Sequence, residues 1–154
     1  MSDAIEQAKA SFNRWNTAFN ARDMDAMVAE MHFPHRRLSG DNGFQVWRTE
    51  DDFRATRGEY TTASLNAQAW DHTATTAIEA VQSGADKVHL AINQARRRAD
   101  GAEYNASPTL WIFTKINERW GVQFRSSFLS EPVPPAGNVS SDAGLNTHGF
   151  RVRR

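Results

Sequence analysis

The amino-acid sequence predicts an α+β domain in which an antiparallel sheet packs against helices. Helical and strand patterns occur in the order helix, helix, hairpin, helix, and then four long strands that follow one another as a meander. The clearest strand pattern is in residues 110–128, where two apolar segments fold back at Asn117–Glu118. Their period-two alternation of aromatic and β-branched residues is typical of a half-buried hairpin. A sheet of this kind buries one face against another layer, which the helices supply.

The first two predicted helices occupy the N-terminal part of the chain. Over residues 3–21, apolar residues recur at three- and four-residue spacing, which indicates an amphipathic helix. Asp23 is placed to cap a second helix, whose apolar residues run from Met24 to Met31. We expect Pro34 to close that second helix.

A short hairpin and a third helix are predicted next. Residues 35–39 and 44–47 are extended segments joined by an Asn42-Gly43 turn, a strong hairpin signal. Thr49 then caps a helix that begins with acidic residues, which suit the positive end of the helix dipole. Residues 61–73 have no clear pattern of their own.

Further strands are predicted at residues 74–82 and 87–98, and another follows the turn at Asp100–Gly101. Residues 131–154 differ in composition, since they are rich in Pro, Gly, Ser and Asn. The sequence therefore predicts a single domain over residues 1–130, followed by a C-terminal extension.

Composition excludes several classes of protein. The chain has 154 residues and a net charge of zero, which suits one soluble domain and does not favour non-specific binding to nucleic acid. The absence of cysteine excludes disulfides, thiolate catalysis and zinc–sulfur sites. No apolar run is long enough to cross a membrane, and the first residues do not resemble a secretory signal. We therefore expect a cytoplasmic protein with no membrane or nucleic-acid partner.

Arginine dominates the positive charge of the chain. Fifteen of the 18 cationic residues are arginine, and residues 87–154 hold ten bases against five acids. Arginine suits bidentate pairing with carboxylate or phosphate groups. The alternative, that arginine codons are common in the source genome, stays open at this stage.

His35 and His89 are the candidate catalytic residues. Histidine is the side chain that moves protons near neutral pH, and an adjacent arginine would hold an anionic group. The candidate ligand-binding residues are polar or aromatic and lie on predicted strands or near predicted loops: Arg36, Trp47, Trp70, Tyr104, Gln123 and Arg125.

Each of these residues also has a structural interpretation. His35 and Arg36 would then tether the junction between helix and strand, and Arg125 would pair with a helix carboxylate such as Asp25 or Glu30. The alternation predicts that Gln123 and Arg125 share one face of the last strand. The other face would carry apolar residues, with Trp111 and Trp120 as packing or dimer contacts and Phe124 beside them.

The sequence contains no recognisable cofactor or metal motif. It has no glycine-rich phosphate loop, nucleophile elbow or dinucleotide fingerprint. His32 and His35 are three residues apart, but Pro34 interrupts any helix between them, so we predict no metal site and no cofactor.

Several segments together resemble the NTF2-like superfamily, and especially its SnoaL-like branch: WNTAFNARDMDAM, MHFPHRRL, DKVHL, the ADG turn and LWIFTKINERWGVQFRSSF. The resemblance covers about residues 5–130. It implies a cone-shaped, curved antiparallel (mixed) sheet of about six strands wrapped around three helices, with a pocket in the open end. It also implies a homodimer through the outer sheet face.

The superfamily contains ketosteroid isomerases, polyketide cyclases and non-catalytic binding proteins, so the fold by itself does not decide function. Its enzymes usually place one or two acidic residues in the pocket, and this pattern does not transfer residue by residue to the present chain. We therefore expect a small-molecule pocket protein that binds a small apolar or anionic ligand. Two alternatives stay open: a lyase, isomerase or hydrolase that uses a pocket histidine as general base, and a non-catalytic dimerisation or interaction domain.

Overall fold

The structure, a computed structural model, describes residues 2–128, without the side chains of residues 2 and 58–62. The predicted extension over residues 131–154 and its boundary lie outside this range. The helices are α1 (Ser2–Asn20), α2 (Met24–Ala29) and α3 (Glu50–Ala67), and the strands are β1 (Met31–Leu38), β2 (Phe44–Trp47), β3 (His72–Ser83), β4 (Lys87–Arg97), β5 (Glu103–Ile116) and β6 (Arg119–Ser127).

The strands of the described range form one six-stranded sheet in the order β2-β1-β6-β5-β4-β3. Strands β3 to β6 are consecutive antiparallel neighbours, as the predicted meander requires. Strand β1 pairs antiparallel with β2 and parallel with β6, so the sheet is mixed. The predicted α+β fold class is confirmed. No helix between residues 2 and 128 is long and apolar enough to span a bilayer.

Side chains cap two of the helices at the positions that the sequence predicted. The Asp23 carboxylate accepts a hydrogen bond from the Ala26 backbone N–H at 3.1 Å. The Thr49 hydroxyl accepts one from the Asp52 backbone N–H at 3.2 Å. Each cap satisfies a donor in the first turn that has no partner within its helix.

Helix α2 is shorter than predicted, because it ends at Ala29 and not at Pro34. Sheet pairing explains the difference. The Val122 N–H donates to the Glu30 carbonyl at 2.9 Å, and Met31 pairs with Val122. The chain from Met31 onward therefore forms a strand beside β6 instead of a further helical turn. Tertiary pairing therefore overrides the local helical periodicity.

The last hairpin turns at the predicted residues. Asn117 and Glu118 have positive φ angles of 52° and 62°, as a two-residue type I′ turn requires. The strands beyond the turn contain a β-bulge, since Phe113 pairs with Val122 while Ile112 pairs with Phe124. Gln123 is the extra residue between these two pairs.

The bulge exchanges the faces of the residues that follow it. One inserted residue moves every later side chain to the opposite face of the sheet. Arg125 consequently pairs with Trp111 on the face that packs on α1, while Phe124 pairs with Ile112 on the outer face. The predicted assignment of Phe124 and Arg125 to faces is therefore wrong.

The core lies between α1 and the inner face of the sheet, where α1 contacts β3, β4 and β6. Phe12 and Trp15 of α1 meet Trp111 edge-on, with ring centroids 5.0 and 4.9 Å apart. Strand β4 supplies fully buried residues at alternate positions, among them Val88 and Leu90. This alternation is what a sheet with one covered face requires.

Gly121 permits the close approach of β6 to the segment between α2 and β1. A Cβ atom at this position would lie 3.1 Å from the Met31 carbonyl carbon and 3.2 Å from the Glu30 oxygen. Because both atoms belong to the backbone, neither moves without distorting the strand pairing.

We predict that Gly121→Ala lowers the free energy of unfolding by about 1–3 kcal/mol through this overpacking, measured by chemical denaturation. Gly84→Ala is the matched control, because a Cβ there would meet its nearest neighbour, the Lys87 oxygen, at 3.9 Å. Equal stability of the two variants would contradict the prediction.

Candidate ligand-binding site

A cavity of about 80 Å³ that opens to solvent lies between α1 and the inner face of the sheet. Its wall combines aromatic rings, arginines, and neutral hydroxyl and amide groups. The lining residues are Trp15, Phe19, Arg37, Arg57, Thr73, Gln94, Arg96, Asn105, Ala106, Ser107, Thr109, Trp111, Arg125, Ser126 and Ser127. A concave site with an apolar wall and a few convergent polar groups is the usual form of a small-molecule site.

Four arginines reach this cavity from four different elements. Arg37 comes from β1, Arg57 from α3, Arg96 from β4 and Arg125 from β6. The described residues that line the cavity include no histidine and no carboxylate. The described wall therefore carries several guanidinium groups, a side chain suited to pairing with carboxylate or phosphate.

Arg57 is a buried cation of the wall, with an exposed fraction of 8%, and Arg37 and Arg125 are two more that lie side by side. Arg37 and Arg125 are directly paired residues of the parallel strands β1 and β6, so their backbones are about 5 Å apart and their side chains share one face. Their exposed fractions are only 7% and 9%. The Arg37 Nη1 group donates to Gln45 Oε1 at 3.4 Å. Neighbouring guanidinium groups are well placed to hold an anion between them.

His35 holds Arg125 in position. The Arg125 Nε–H donates to His35 Nε2 at 3.0 Å, so the imidazole proton lies on Nδ1, which is 3.2 Å from the Val122 carbonyl oxygen. The Arg125 guanidinium carbon is 5.4 Å from the Trp15 ring and 5.5 Å from the Trp111 ring. A hydrogen bond and two cation–π contacts therefore orient this guanidinium.

The surroundings of His35 keep its imidazole neutral. Complete burial lowers its pKa well below the usual value, and the positive charges of Arg125, Arg37 and Arg57 lower it further, against the opposing hydrogen bond to Val122. Both ring nitrogens contact protein groups. The geometry thus makes His35 a positioning residue for Arg125. Neither contact of its imidazole supports the predicted catalytic role.

Two of the predicted polar site residues lie on the outer face of the sheet. The His89 Nδ1 atom is 2.8 Å from Gln82 Oε1. The Gln123 amide contacts the Thr114 hydroxyl and the Pro34 carbonyl oxygen. Neither residue lines the cavity. The structure therefore does not bring His35, His89, Gln123 and Arg125 together.

Arg36 lies one residue from Arg37 and is exposed, since side chains alternate along β1.

The predicted carboxylate partners of Arg125 form ion pairs with other arginines. Asp25 pairs with Arg54 at 2.6 Å, and Glu30 pairs with Arg14 at 2.7 Å. Of the eight predicted site residues, Arg125 alone is among the described residues that line the cavity.

The predicted aromatic site residues Trp47 and Trp70 do not line the cavity. Trp47 is 1% exposed and donates to the Thr56 hydroxyl at 2.7 Å, so it belongs to the core. Trp70 donates to the hydroxyl of Thr73, which itself lines the cavity.

Tyr104 supports a cavity arginine indirectly. Its hydroxyl donates to Gln68 Oε1 at 2.7 Å, and the same oxygen accepts a hydrogen bond from Arg96 at 3.0 Å. Tyr104 and Gln68 thus hold Arg96 at the wall without lining it themselves.

Sequence reasoning missed Arg37, Arg57, Arg96 and the aromatic residues of the wall. The sequence could have indicated Arg37, because it lies two residues after His35 on a predicted strand and therefore on the same face. Trp111, which the sequence assigned to packing or dimer contacts, lines the cavity. Arg57 lies in a helix whose apolar pattern is thin, so nothing local indicated the direction of its side chain.

Among the side chains that the structure describes, no group of three or more histidine, aspartate and glutamate residues could hold a metal ion.

Comparison with known proteins identifies the fold. No protein-family model matches the chain, and no curated protein matches its sequence. Solved structures do match. An NTF2-like protein of unknown function from Pseudomonas putida is 10% identical, with a TM-score of 0.66 over 92% of this chain and 96% of that one. An NTF2-like protein with a cystatin-like fold from Novosphingobium aromaticivorans is 13% identical, with a TM-score of 0.63 over 94% and 90%.

A ketosteroid isomerase-like protein from Erwinia carotovora is 18% identical, with a TM-score of 0.59 over 82% of this chain and 96% of that one. These similarities establish the NTF2-like, cystatin-like fold that the sequence segments resembled. At such identities they carry no information about activity.

The lowered pKa of His35 predicts that the protein loses stability in mild acid. Below about pH 6.5, the ordinary pKa of histidine, the unfolded chain binds a proton that the folded chain rejects. Above that pH, the contribution of His35 to the free energy of unfolding should therefore be constant. Below it, the free energy of unfolding should fall as the pH drops.

Chemical denaturation at a series of pH values tests this in the wild type and in His35→Gln. Burial also lowers the pKa of His32 and His89, so the difference between the two profiles isolates His35. Parallel profiles of the two folded proteins would show that His35 does not titrate as described.

Proposed function

We propose that this chain, a protein of NTF2-like fold, is a pocket protein that binds a small organic anion in the cavity between α1 and the sheet. The observation that carries the proposal is the pairing of two buried arginines, Arg37 and Arg125, on the cavity wall. Charge-assisted hydrogen bonds from guanidinium groups are among the strongest that a protein offers to a carboxylate or phosphate. The preorganisation of Arg125 by His35 supports the same interpretation, because a fixed donor loses less entropy on binding.

The apolar part of the ligand would contact the aromatic side of the cavity. Trp15, Phe19 and Trp111 contribute rings to the lining. A molecule with both a charged and an apolar part fits this combination better than an inorganic ion does.

Binding is favoured over catalysis by a pocket histidine. A general base must come within hydrogen-bond reach of the proton that it removes. His35 contacts Val122 and Arg125 through its two nitrogens, and the described cavity wall contains no histidine. The narrower assignment to the SnoaL-like branch and the location in the cytoplasm stay predictions from the sequence.

Arg37→Gln tests the anion site. We expect it to weaken binding of small carboxylates by about 10- to 100-fold, the cost of one charge-assisted hydrogen bond. The measurement is isothermal titration with straight-chain, alicyclic and aromatic carboxylates, each compared with its uncharged primary amide.

Arg36→Gln is the matched control, since it removes the same charge from the neighbouring, exposed position of β1. It should leave affinity unchanged. Arg125→Lys, which keeps the charge and loses the planar fork, should weaken binding as well. Failure of every carboxylate to bind the wild type, or equal binding of acids and amides, would refute the proposed function.

We also propose that the outer face of the sheet forms a homodimer. Ala91, Leu110, Ile112 and Phe124 are adjacent across β4, β5 and β6 and make an apolar patch there. Val81 and Ile116 on the same sheet are 48% and 40% exposed. A patch that is apolar at its centre suits a twofold contact with a second copy, the commonest arrangement among homo-oligomers.

Ile112→Glu should convert a dimer into a monomer, because it buries an unpaired charge in the contact. Size-exclusion chromatography with light scattering gives the mass, to be compared with 17.3 kDa for one chain. Thr17→Glu, on the exposed side of α1, is the control and should remain dimeric. A monomeric wild type would refute the dimer.

A further inference from the structure

We propose that the mouth of the cavity binds the hydroxyl groups of its ligand, which is then a sugar acid, a polyhydroxylated ring that carries a carboxylate. The inference rests on the proposed function and adds to it a second set of contacts, at the side of the ligand remote from its acid group. It follows from a change in side-chain chemistry along the inner face of the sheet.

The inner face changes from apolar to polar along β4 and β5. On β4, the buried residues Leu90 and Ile92 are followed on the same face by Gln94. Gln94 pairs with Ser107 of β5, and Asn105 lies two residues from Ser107 on the same face. All three polar residues line the cavity, and each is only partly buried. These three residues, which we call the mouth cluster, therefore lie at the open side of the cavity.

The mouth cluster has hydrogen-bonding capacity that the described residues leave unused. None of them forms a hydrogen bond with the Asn105 amide. The Ser107 hydroxyl donates to the adjacent Pro108 carbonyl at 3.3 Å, which leaves its oxygen as an acceptor. The Gln94 Nε2 group donates to Asn16 Oδ1 at 3.3 Å, which leaves Gln94 Oε1 as another acceptor. The cluster thus offers uncharged donors and acceptors together.

Uncharged donors and acceptors in one group complement hydroxyl groups, because each hydroxyl both donates and accepts. Gln94 and Ser107 are about 5 Å apart across the strands, and Ser107 and Asn105 are about 7 Å apart along β5. Neighbouring hydroxyl groups of one sugar ring can contact such a group of side chains together. A saturated hydrocarbon ring would displace water from the cluster and return no hydrogen bond.

Phe19 gives the same part of the cavity an apolar surface. This half-buried ring lines the cavity and meets Trp70 edge-on, with centroids 5.4 Å apart. The Trp70 indole donates to the hydroxyl of Thr73, which lines the cavity and lies on β3 opposite Arg96. A pyranose carries hydroxyl groups around its rim and C–H groups on its faces. It can therefore contact Phe19 with a face and the mouth cluster with its rim.

The mouth cluster is separate from the proposed anion site. Ser107 lies four residues from Trp111 on β5, about 13 Å along the strand, and Trp111 pairs with Arg125. Long side chains that converge on the cavity bridge part of this distance. Arg96, the lining arginine of β4, donates to Gln68 Oε1 at 3.0 Å. The hydroxyl groups that the mouth binds are therefore those remote from the carboxylate.

Titration calorimetry with ring acids of equal charge tests the inference. We expect methyl β-D-glucuronoside to bind at least about tenfold more tightly than cyclohexanecarboxylate, since each uncharged hydrogen bond contributes a few-fold in affinity. The position of the hydroxyl group is tested with two further acids. We expect 4-hydroxycyclohexanecarboxylate to bind more tightly than its 2-hydroxy isomer, whose hydroxyl group lies beside the acid.

Asn105→Ala and Ser107→Ala provide a second test within the protein. In each variant, the preference for the glucuronoside over cyclohexanecarboxylate should fall at least about threefold, while the affinity for cyclohexanecarboxylate changes little. Asn13→Ala is the matched control, because it truncates an exposed asparagine of α1 that does not line the cavity. It should preserve the preference. Circular dichroism checks that all three variants are folded.

The outcomes separate this inference from the proposed function. Equal binding of the glucuronoside and cyclohexanecarboxylate, or an unchanged preference in both mouth variants, would overturn the sugar acid and leave the anion site intact. Tighter binding of the 2-hydroxy isomer would overturn the placement of the hydroxyl groups at the mouth. Equal binding of the glucuronoside and its uncharged amide would overturn the proposed function and leave the mouth cluster intact. Binding of none of the acids would overturn both.

Discussion

The hydrogen bond from Arg125 to His35 is the interaction on which the candidate site depends. It places a charged side chain in the interior with a defined orientation, and it requires a neutral imidazole whose only proton is on Nδ1. The Val122 carbonyl supplies the contact for that proton, so β1 and β6 jointly determine the direction of the guanidinium. Burial and the nearby arginines suppress protonation of His35, which would otherwise remove the acceptor. Folding and the chemistry of the cavity are therefore coupled through one pair of residues.

The β-bulge at Gln123 is the backbone feature that makes this pair possible. Without the extra residue, strict alternation would carry Arg125 to the outer face and Phe124 into the core. With it, Arg125 lies beside Trp111 and next to Arg37 of the parallel strand. Bulges commonly redirect side chains near functional sites, and here the redirected side chain is a cation. The wall built in this way differs from the acidic pockets that the family resemblance implied for its enzymes.

Features that depend on neighbouring residues in sequence were predictable. The caps at Asp23 and Thr49, the turn at Asn117–Glu118 and the meander of long strands all follow from local patterns, and each is present. The end of α2 was not predictable, because the residues after Ala29 have a helical apolar period and become a strand only by pairing with β6. The two histidines are candidates only because of the chemistry of imidazole. Chemistry alone does not indicate which face of a strand is covered, and His89 lies on the outer one.

The sequence by itself determined the fold class, the order of the elements and the resemblance to the NTF2-like fold. These properties are encoded in periodicity, capping and turn residues, which act over a few positions of the chain. Only the tertiary structure decided which side chains meet. Arg37, Arg57, Arg96 and Arg125 come from four elements far apart in sequence, and their convergence follows from strand order, register and a single bulge. Such long-range pairing is set by the packing of the whole domain, so no local pattern records it.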